Sequence, residues 1–244
     1  MTEFLSKSLA GIVTENHQSA AVLEKYHLDF CCKGKRTLQD ACRENKVNPA
    51  EVLLDLEKVL NTDTASDLDP QKMTLNELSG YITETHHSYV RSEMPLIYGY
   101  LQKAASKHGE RHPELFKVFE LFAAIKEEME MHMLKEEKVL FPRIAETEKF
   151  AAGNKPLPVN NTFIGAPVSV MEQEHEHAGT MMEEIRLLSG NYNPPADACT
   201  TYRLAYAALQ AFEQDLHKHV HLENNILFPK ALSLFEVPDN MSLN

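Results

Sequence analysis

One eleven-residue pattern occurs twice in the second half of the chain and constrains its fold more than any other feature. In each copy a histidine is followed four positions later by a glutamate, and the tripeptide Leu-Phe-Pro ends the pattern. The marker residues are His132, Glu136 and Pro142 in the first copy, and His219, Glu223 and Pro229 in the second. Residues four apart lie on one face of an α-helix, so each copy places an imidazole beside a carboxylate. The repetition indicates an internal duplication.

The residues that share a helix face with each histidine–glutamate pair are apolar. Steps of three and four reach Val118, Phe122, Ile125, Met129 and Val139 in the first copy, and Ala205, Leu209, Phe212, Leu216 and Ile226 in the second. Such stripes are typical of the core-facing side of bundled helices, so both pairs are predicted to be buried. A buried carboxylate is strongly destabilising unless a charge, hydrogen bonds or a metal compensates it. An isolated copy favours a simple hydrogen-bonded pair, whereas two inward-facing copies favour metal binding.

Two further apolar stripes each contain one histidine. Their apolar members are Val90, Met94, Ile97 and Leu101 beside His87, and Val168, Met171, Ala178, Met182 and Ile185 beside His175. His87 precedes the histidine of the first copy by 45 residues, and His175 precedes that of the second by 44. The order predicts an all-α fold, a four-helix bundle with pseudo-twofold symmetry. Four imidazoles and two carboxylates that converge in such a core suit two metal ions bridged by the carboxylates.

The remaining histidines fit this pattern less well. His86 lies beside His87 on a less apolar face, and it stays open as the alternative ligand. His108 lies 21 residues beyond His87, about 31 Å along a helix, so we interpret it as a helix-end residue. The other candidates point away from the apolar stripes or lie in a loop, and they are predicted to be solvated: His112, His177, His217 and His221.

Composition narrows the class of protein and its surroundings. A net charge of −12 disfavours nucleic acids and anionic membranes as partners. The chain has no apolar stretch of about 20 residues for a membrane span, and its beginning lacks the pattern of a signal peptide. Two of the four cysteines are adjacent, which argues against a secreted disulfide framework. We therefore expect a cytoplasmic protein.

Turn-rich segments divide the chain into two predicted domains, a small helical domain over residues 1–65 and a bundle over 74–236. An acidic linker is predicted at 61–71 and a long crossover loop at 147–167. Helices are predicted over 10–26, 37–45 and 49–60 in the first domain, and over 75–107 with a kink at Pro95, 113–142, 168–189 and 198–234 in the second.

The adjacent thiols Cys31 and Cys32 allow two interpretations. They are either small residues buried at a turn or reactive thiols, whose thiolate forms Lys33, Lys35 and Arg36 would favour. Reactive thiols would bind a soft metal, attack a disulfide or accept iron in transit. Because they precede the acidic linker, we expect them on a tethered domain that visits the bundle or a client protein.

The segment AAVLEKYHLDFCCKGKRTLQDAC, followed by the histidine-bearing stripes and the duplicated pattern, resembles the family named for repair of iron centres (RIC). The resemblance covers nearly the whole chain, and it departs at Lys33, where the family loop often continues with glycine. It implies a hemerythrin-like bundle with two non-haem iron ions in an oxo- and carboxylate-bridged centre. The ligands carried over by position are His87, His132, Glu136, His175, His219 and Glu223.

The resemblance also implies a function. The family restores iron–sulfur clusters damaged by nitric oxide or peroxide, so iron–sulfur proteins are the expected clients, iron supply is the expected mechanism, and Cys31 and Cys32 are candidates for iron transfer. The electron donor is unidentified, and a homodimer stays open. The alternatives are a nitric oxide reductase and a hemerythrin-type carrier of dioxygen or nitric oxide. A carrier needs no thiol-bearing domain, and nitrous oxide production by the reduced protein in a single turnover would identify the reductase.

Overall fold

A computed structural model describes residues 2–60, 69–153 and 160–235, and within these ranges the chain is helical. Five short helices form the N-terminal part: α1 Thr2–Ser6, α2 Leu9–Glu15, α3 Ser19–Lys25, α4 Leu38–Glu44 and α5 Pro49–Leu60. Most of the predicted linker, residues 61–68, and part of the predicted crossover loop, residues 154–159, lie outside the described residues. The domain boundaries therefore stay predictions.

Asn16 divides the helix that the sequence predicts over 10–26. Its backbone is extended, with φ −149° and ψ 104°, and it ends α2. Its side-chain oxygen accepts a hydrogen bond from the backbone N–H of Gln18, 2.9 Å away, and starts the turn into α3. Asparagine competes in this way with helical hydrogen bonds, so the prediction of one continuous helix was wrong.

Seven helices and three π-helical turns build the second part. The helices are α6 Leu75–Ile82, α7 Ser88–His108, α8 Glu114–Lys135, α9 Phe141–Ala152, α10 Thr162–Leu188, α11 Thr200–Leu222 and α12 Phe228–Ser233. The π-helical turns Thr83–His87, Glu136–Leu140 and Glu223–Leu227 join α6 to α7, α8 to α9 and α11 to α12. The chain thus forms four long rods, in which α7 packs against α8 and α11, and α8 packs against α10. This arrangement confirms the predicted all-α four-helix bundle.

The prolines of the duplicated pattern account for two of the π-helical turns. Pro142 has no N–H to donate and its ring clashes with the carbonyl four residues earlier, so it disfavours a regular helix at this position. The helix widens instead, and the N–H of Phe141 bonds to the carbonyl of Glu136, five residues back. The extra residue in this turn changes which residues after Glu136 face the core. Val139, which the sequence predicts in the core stripe, is consequently 40% exposed, while Leu140 is buried.

Two helix ends differ from their predicted positions. The second rod continues past Pro142 to Ala152, and the third begins at Thr162, so that Pro167 lies inside α10. Pro167 cannot donate to the carbonyl of Phe163, but Arg143 donates to that carbonyl from the second rod at 3.0 Å. A hydrogen bond from another helix therefore satisfies the group that the proline leaves free.

Two apolar clusters fill the described interior, and the predicted ligands lie between them. The first cluster joins the N-terminal helices to one half of the bundle and includes Val90, Met129, Ala178 and Leu216. The second fills the other half and includes Ile82, Leu140, Met171 and Ile226. Along each rod the chain passes from one cluster through a polar position into the other, so the ligands form one polar layer across the bundle.

The N-terminal helices pack directly on the bundle. Phe30 is 1% exposed, and its ring meets that of His221 edge-on with 5.6 Å between ring centroids. His217 Nδ1 lies 2.6 Å from Glu24 Oε1. The prediction that His217 and His221 are solvated was wrong, because the N-terminal helices cover the outer face of α11 on which they lie. The thiol-bearing part is likewise docked on the bundle in this structure, whereas the sequence suggests a tethered visitor.

No helix in the described ranges is both long enough and apolar enough to cross a membrane.

Gly34 allows a test of the close packing within the N-terminal part of the chain. A Cβ added there would lie 2.2 Å from the Phe30 carbonyl oxygen and 2.8 Å from Ala10 Cβ, closer than atoms can approach. We expect Gly34→Ala to lower the free energy of unfolding by about 2 kcal/mol or more, as overpacking does. Gly99→Ala is the control, because a Cβ at that helical position meets nothing within 4 Å. The free energy of unfolding of this control variant should rise by about 0.5–1 kcal/mol. Equal urea midpoints for the two variants would contradict this account.

Candidate metal centre

The six predicted ligands converge in the polar layer, and each is at most 1% exposed. Their ligand atoms fall into two groups within which all atoms lie no more than 4.8 Å apart. The first group is His87, Glu136, His219 and Glu223, and the second is His132, Glu136, His175 and Glu223. Both glutamates belong to both groups. The arrangement therefore offers two adjacent cation positions that share two carboxylates.

The two groups are alike in geometry. The Nε2 atoms of His87 and His219 lie 3.2 Å apart, and those of His132 and His175 lie 3.0 Å apart. Glu136 Oε2 lies 3.3 Å from Nε2 of both His87 and His132, one histidine from each group. The Glu136 carboxylate thus faces both groups at once.

Glu223 makes the corresponding contacts from the opposite rod. Its Oε1 lies 3.1 Å from His219 Nε2, and its Oε2 lies 3.2 Å from His175 Nε2. One carboxylate oxygen thus faces each group, as bridging requires.

A cation fits this layer because most of the buried carboxylate oxygens lack hydrogen bonds. Among the described residues, neither oxygen of Glu136 and only one oxygen of Glu223 has a hydrogen-bond partner. Buried polar atoms are nearly always partnered, and buried charges need a counter-charge or a metal. Imidazole nitrogens and carboxylate oxygens in this combination suit non-haem iron and related first-row ions.

The electrostatics of the layer also favour cations. Burial and the nearby Glu223 act to raise the pKa of Glu136, but His132 and His87 outweigh them, and the net pKa lies below its usual value. Burial likewise acts to raise the pKa of Glu223, yet His219 and His175 hold it well below. Both carboxyl groups are therefore anionic at neutral pH.

His132 shows the complementary effect. Burial acts to lower its pKa, but Glu136 and Glu174 outweigh burial and raise the pKa to about 10. A proton on His132 thus supplies positive charge to the layer, a role that a bound cation would take over.

Three side chains that the sequence reasoning missed orient the histidines. His87 Nδ1 lies 2.7 Å from Glu137 Oε1, and His175 Nδ1 lies 2.9 Å from Asn224 Oδ1. Glu137 and Asn224 occupy equivalent positions, each directly after the glutamate of its copy. The oxygen acceptor fixes the proton on Nδ1 and leaves the Nε2 lone pair directed into the layer.

Glu174 gives the third such contact, with its Oε2 2.9 Å from His132 Nδ1. Lys135 also contacts the Glu174 carboxylate. The hydrogen bond from His132 is the largest cause that lowers the pKa of Glu174, to about 2. The signal that could have identified all three acceptors is adjacency to a ligand, because successive residues lie about 100° apart on a helix and face a neighbouring rod.

His219 breaks the pattern, because its Nδ1 has no hydrogen-bond partner within the described ranges. The ring of His86 stacks on it instead, with centroids 5.7 Å apart and 4° between the planes. His86 Nδ1 is 2.9 Å from Asp215 Oδ1, and His86 belongs to neither ligand group. Of the two alternatives that the sequence left open, the geometry favours His87 as the ligand.

The Cys31–Cys32 pair lies on the outside of the third rod. Cys31 is buried and Cys32 half-buried, and the Cys32 sulfur is 3.7 Å from the backbone carbonyl of His175. The neighbouring Cys32 thiol, burial and Asp29 raise the pKa of Cys31 well above its usual value. The expectation that basic neighbours favour the thiolate was wrong for Cys31, because the side chains of Lys33 and Lys35 are exposed to solvent.

Comparison with known proteins gives two family matches. Residues 78–231 match the hemerythrin HHE cation-binding domain. Residues 5–60 match the ScdA_N domain, described as a domain of unknown function. The first match contains all six converging residues, and the second contains the Cys31–Cys32 pair.

Curated relatives match over nearly the full length. The iron–sulfur cluster repair protein YtfE of Musicola paradisiaca is 34% identical over 230 residues, which cover 94% of this chain and 97% of the relative. YtfE of Yersinia pseudotuberculosis is 33% identical, with 94% and 98% covered. The iron–sulfur cluster repair protein ScdA of Staphylococcus haemolyticus is 31% identical, with 91% and 96% covered. The chain therefore belongs to the family of iron–sulfur cluster repair proteins, in which a ScdA_N segment precedes a hemerythrin HHE cation-binding domain.

Proposed function

We propose that the polar layer holds two iron ions. In this assignment His87 and His219 bind one ion, His132 and His175 bind the other, and the carboxylates bridge them. The assignment is supported by the two ligand groups that share both glutamates. Two adjacent irons held by these six residues would supply a redox-active centre from which iron can be delivered.

The function that this centre supports best is the repair of iron–sulfur clusters damaged by nitric oxide or peroxide, with iron supplied from the bundle. The relatives are named for cluster repair, and iron–sulfur proteins are the corresponding clients. We place this activity in the cytoplasm, where the thiols stay reduced. The observation that carries the proposal is that the buried layer lies close to a thiol pair. In this proposal the layer stores the iron, and the thiols receive iron that leaves it.

His175 connects the buried layer to the thiol pair. Its Nε2 belongs to the second ligand group, and its backbone carbonyl lies beside the Cys32 sulfur on the outside of α10. Asn224 holds the His175 ring from the adjacent rod, and it lines a surface depression together with Cys31 and Cys32. The thiols therefore lie against the rod that carries a ligand of the second position, with the α10 backbone between them and the layer.

Replacing either bridging glutamate should remove iron without unfolding the bundle. Glu136→Leu or Glu223→Leu takes away an anion that faces both ligand groups, so we expect half the wild-type iron or less. The apoprotein should stay helical, since an apolar residue of similar volume replaces a buried charge. The measurements are iron content and circular dichroism on the same preparations.

His177→Ala is the matched control, because His177 follows closely after His175 on α10 but is exposed to solvent. It should keep full iron. Wild-type iron in both glutamate variants would contradict the bridging assignment.

Removing the thiols should impair repair but not iron binding. We expect Cys31→Ser with Cys32→Ser to retain the iron content and the spectrum of the centre, because the six ligands are complete without sulfur. Reactivation of an iron–sulfur hydratase after peroxide damage should be slower with this double variant, and Cys199→Ser should behave as wild type. Loss of iron would assign the thiols to the centre, and undiminished repair would make them structural.

A further inference from the structure

Asp29 joins the two thiols in a third cluster of donor atoms, outside the polar layer. One carboxylate oxygen of Asp29 and the sulfurs of Cys31 and Cys32 all lie within 4.8 Å of one another. Thiolate sulfur and carboxylate oxygen are both ligands of first-row divalent cations. The cluster is the only one of its kind with sulfur donors in the described ranges.

Two of the three donor spacings match the edges of a coordination tetrahedron. The two sulfur atoms lie 3.7 Å apart, and the Cys31 sulfur lies 3.3 Å from Asp29 Oδ1. With metal–sulfur bonds of about 2.3 Å and metal–oxygen bonds of about 2.0 Å, tetrahedral angles give edges of about 3.8 Å and about 3.5 Å. The third pair, the Cys32 sulfur and the Asp29 oxygen, lies within 4.8 Å, so a cation can bind once that spacing adjusts.

The loop that carries these donors is held in place from two sides. Asp29 Oδ1 accepts hydrogen bonds from the backbone N–H groups of Cys31 and Cys32, both at 3.0 Å. Asn225 donates from the fourth rod to the carbonyls of Phe30 and Cys31. The Asp29 hydrogen bonds alone would stabilise the turn wherever the two thiols pointed. The closeness of the two sulfur atoms is therefore a separate feature of the loop. Holding all three donors together reduces the entropy that binding would otherwise lose.

We propose that Asp29, Cys31 and Cys32 form a site for a single thiophilic divalent cation, such as Fe²⁺ or Zn²⁺. Binding forms two metal–sulfur bonds and one metal–oxygen bond, and the two thiol protons leave to solvent. Two surface depressions lie beside the thiols, and Glu176 lines both of them. The role of the site as a station for departing iron rests on the proposed function, but its capacity to bind a cation does not.

Competition with protons and access to solvent would make binding of a cation at this site short-lived. A thiol must lose its proton before the sulfur can bind, so protons compete with the metal. An open fourth position beside solvent also allows an incoming ligand to displace the cation.

Cobalt(II) is the probe, added to the full-length protein with its iron in place. We expect one Co²⁺ per chain, a thiolate-to-cobalt charge-transfer band in the near ultraviolet, and the intense visible bands of tetrahedral cobalt. Iron content measured after the titration should be unchanged. Cys31→Ser with Cys32→Ser should abolish the bands, whereas Cys199→Ser should retain them.

Asp29→Asn tests the carboxylate separately from the loop. The asparagine oxygen can still accept both backbone hydrogen bonds, so the loop should keep its geometry while the ligand loses its charge. We expect cobalt affinity to fall by about 100-fold or more, since even the partners of metal ligands contribute about 10–100-fold.

The proposal is overturned if cobalt gives no thiolate band, if it displaces iron instead, or if Asp29→Asn binds cobalt as tightly as wild type. These outcomes are independent of cluster repair. A protein that binds cobalt as described but repairs no cluster would keep the site and refute the proposed function.

Discussion

Two carboxylates without exposure to solvent, set between apolar clusters, are the constraint on which the rest of the structure depends. An unpaired charge in such a place is strongly destabilising, so Glu136 and Glu223 need positive charge close by. His132 and His87, whose pKa values the carboxylates raise, supply part of it, and two metal ions would supply it in full. The acceptors behind His87, His132 and His175 follow from the same need, because they hold these three imidazoles with Nε2 directed at the carboxylates.

Much of the bundle and its ligand set could be predicted from the sequence, because the buried residues of a helix recur every three or four positions. The apolar stripes and the duplicated pattern together identified six residues as inward-facing: His87, His132, Glu136, His175, His219 and Glu223. Local periodicity fails where the helix changes its own period, and the π-helical turn after Lys135 therefore exposes Val139.

Adjacency to a ligand can mark a candidate acceptor, but the partner that each residue meets on a distant segment was beyond the sequence. Glu137, Glu174 and Asn224 serve histidines on other rods, and His221 is buried by an N-terminal loop 190 or so residues earlier in the chain. Each depends on how the rods rotate against one another, which no local pattern specifies. The docking of the N-terminal helices changes the view of the thiols in particular. They lie on the outer surface of the bundle beside His175, and α10 separates them from the buried layer.

The central claim is that the polar layer exists to hold two iron ions. Iron analysis of anaerobically reconstituted protein, combined with Mössbauer spectroscopy, tests it most directly. The account predicts two irons per chain in an exchange-coupled diferric pair after oxidation. One iron per chain, two uncoupled high-spin ferric ions, or zinc that occupies the polar layer and that iron does not displace would contradict it.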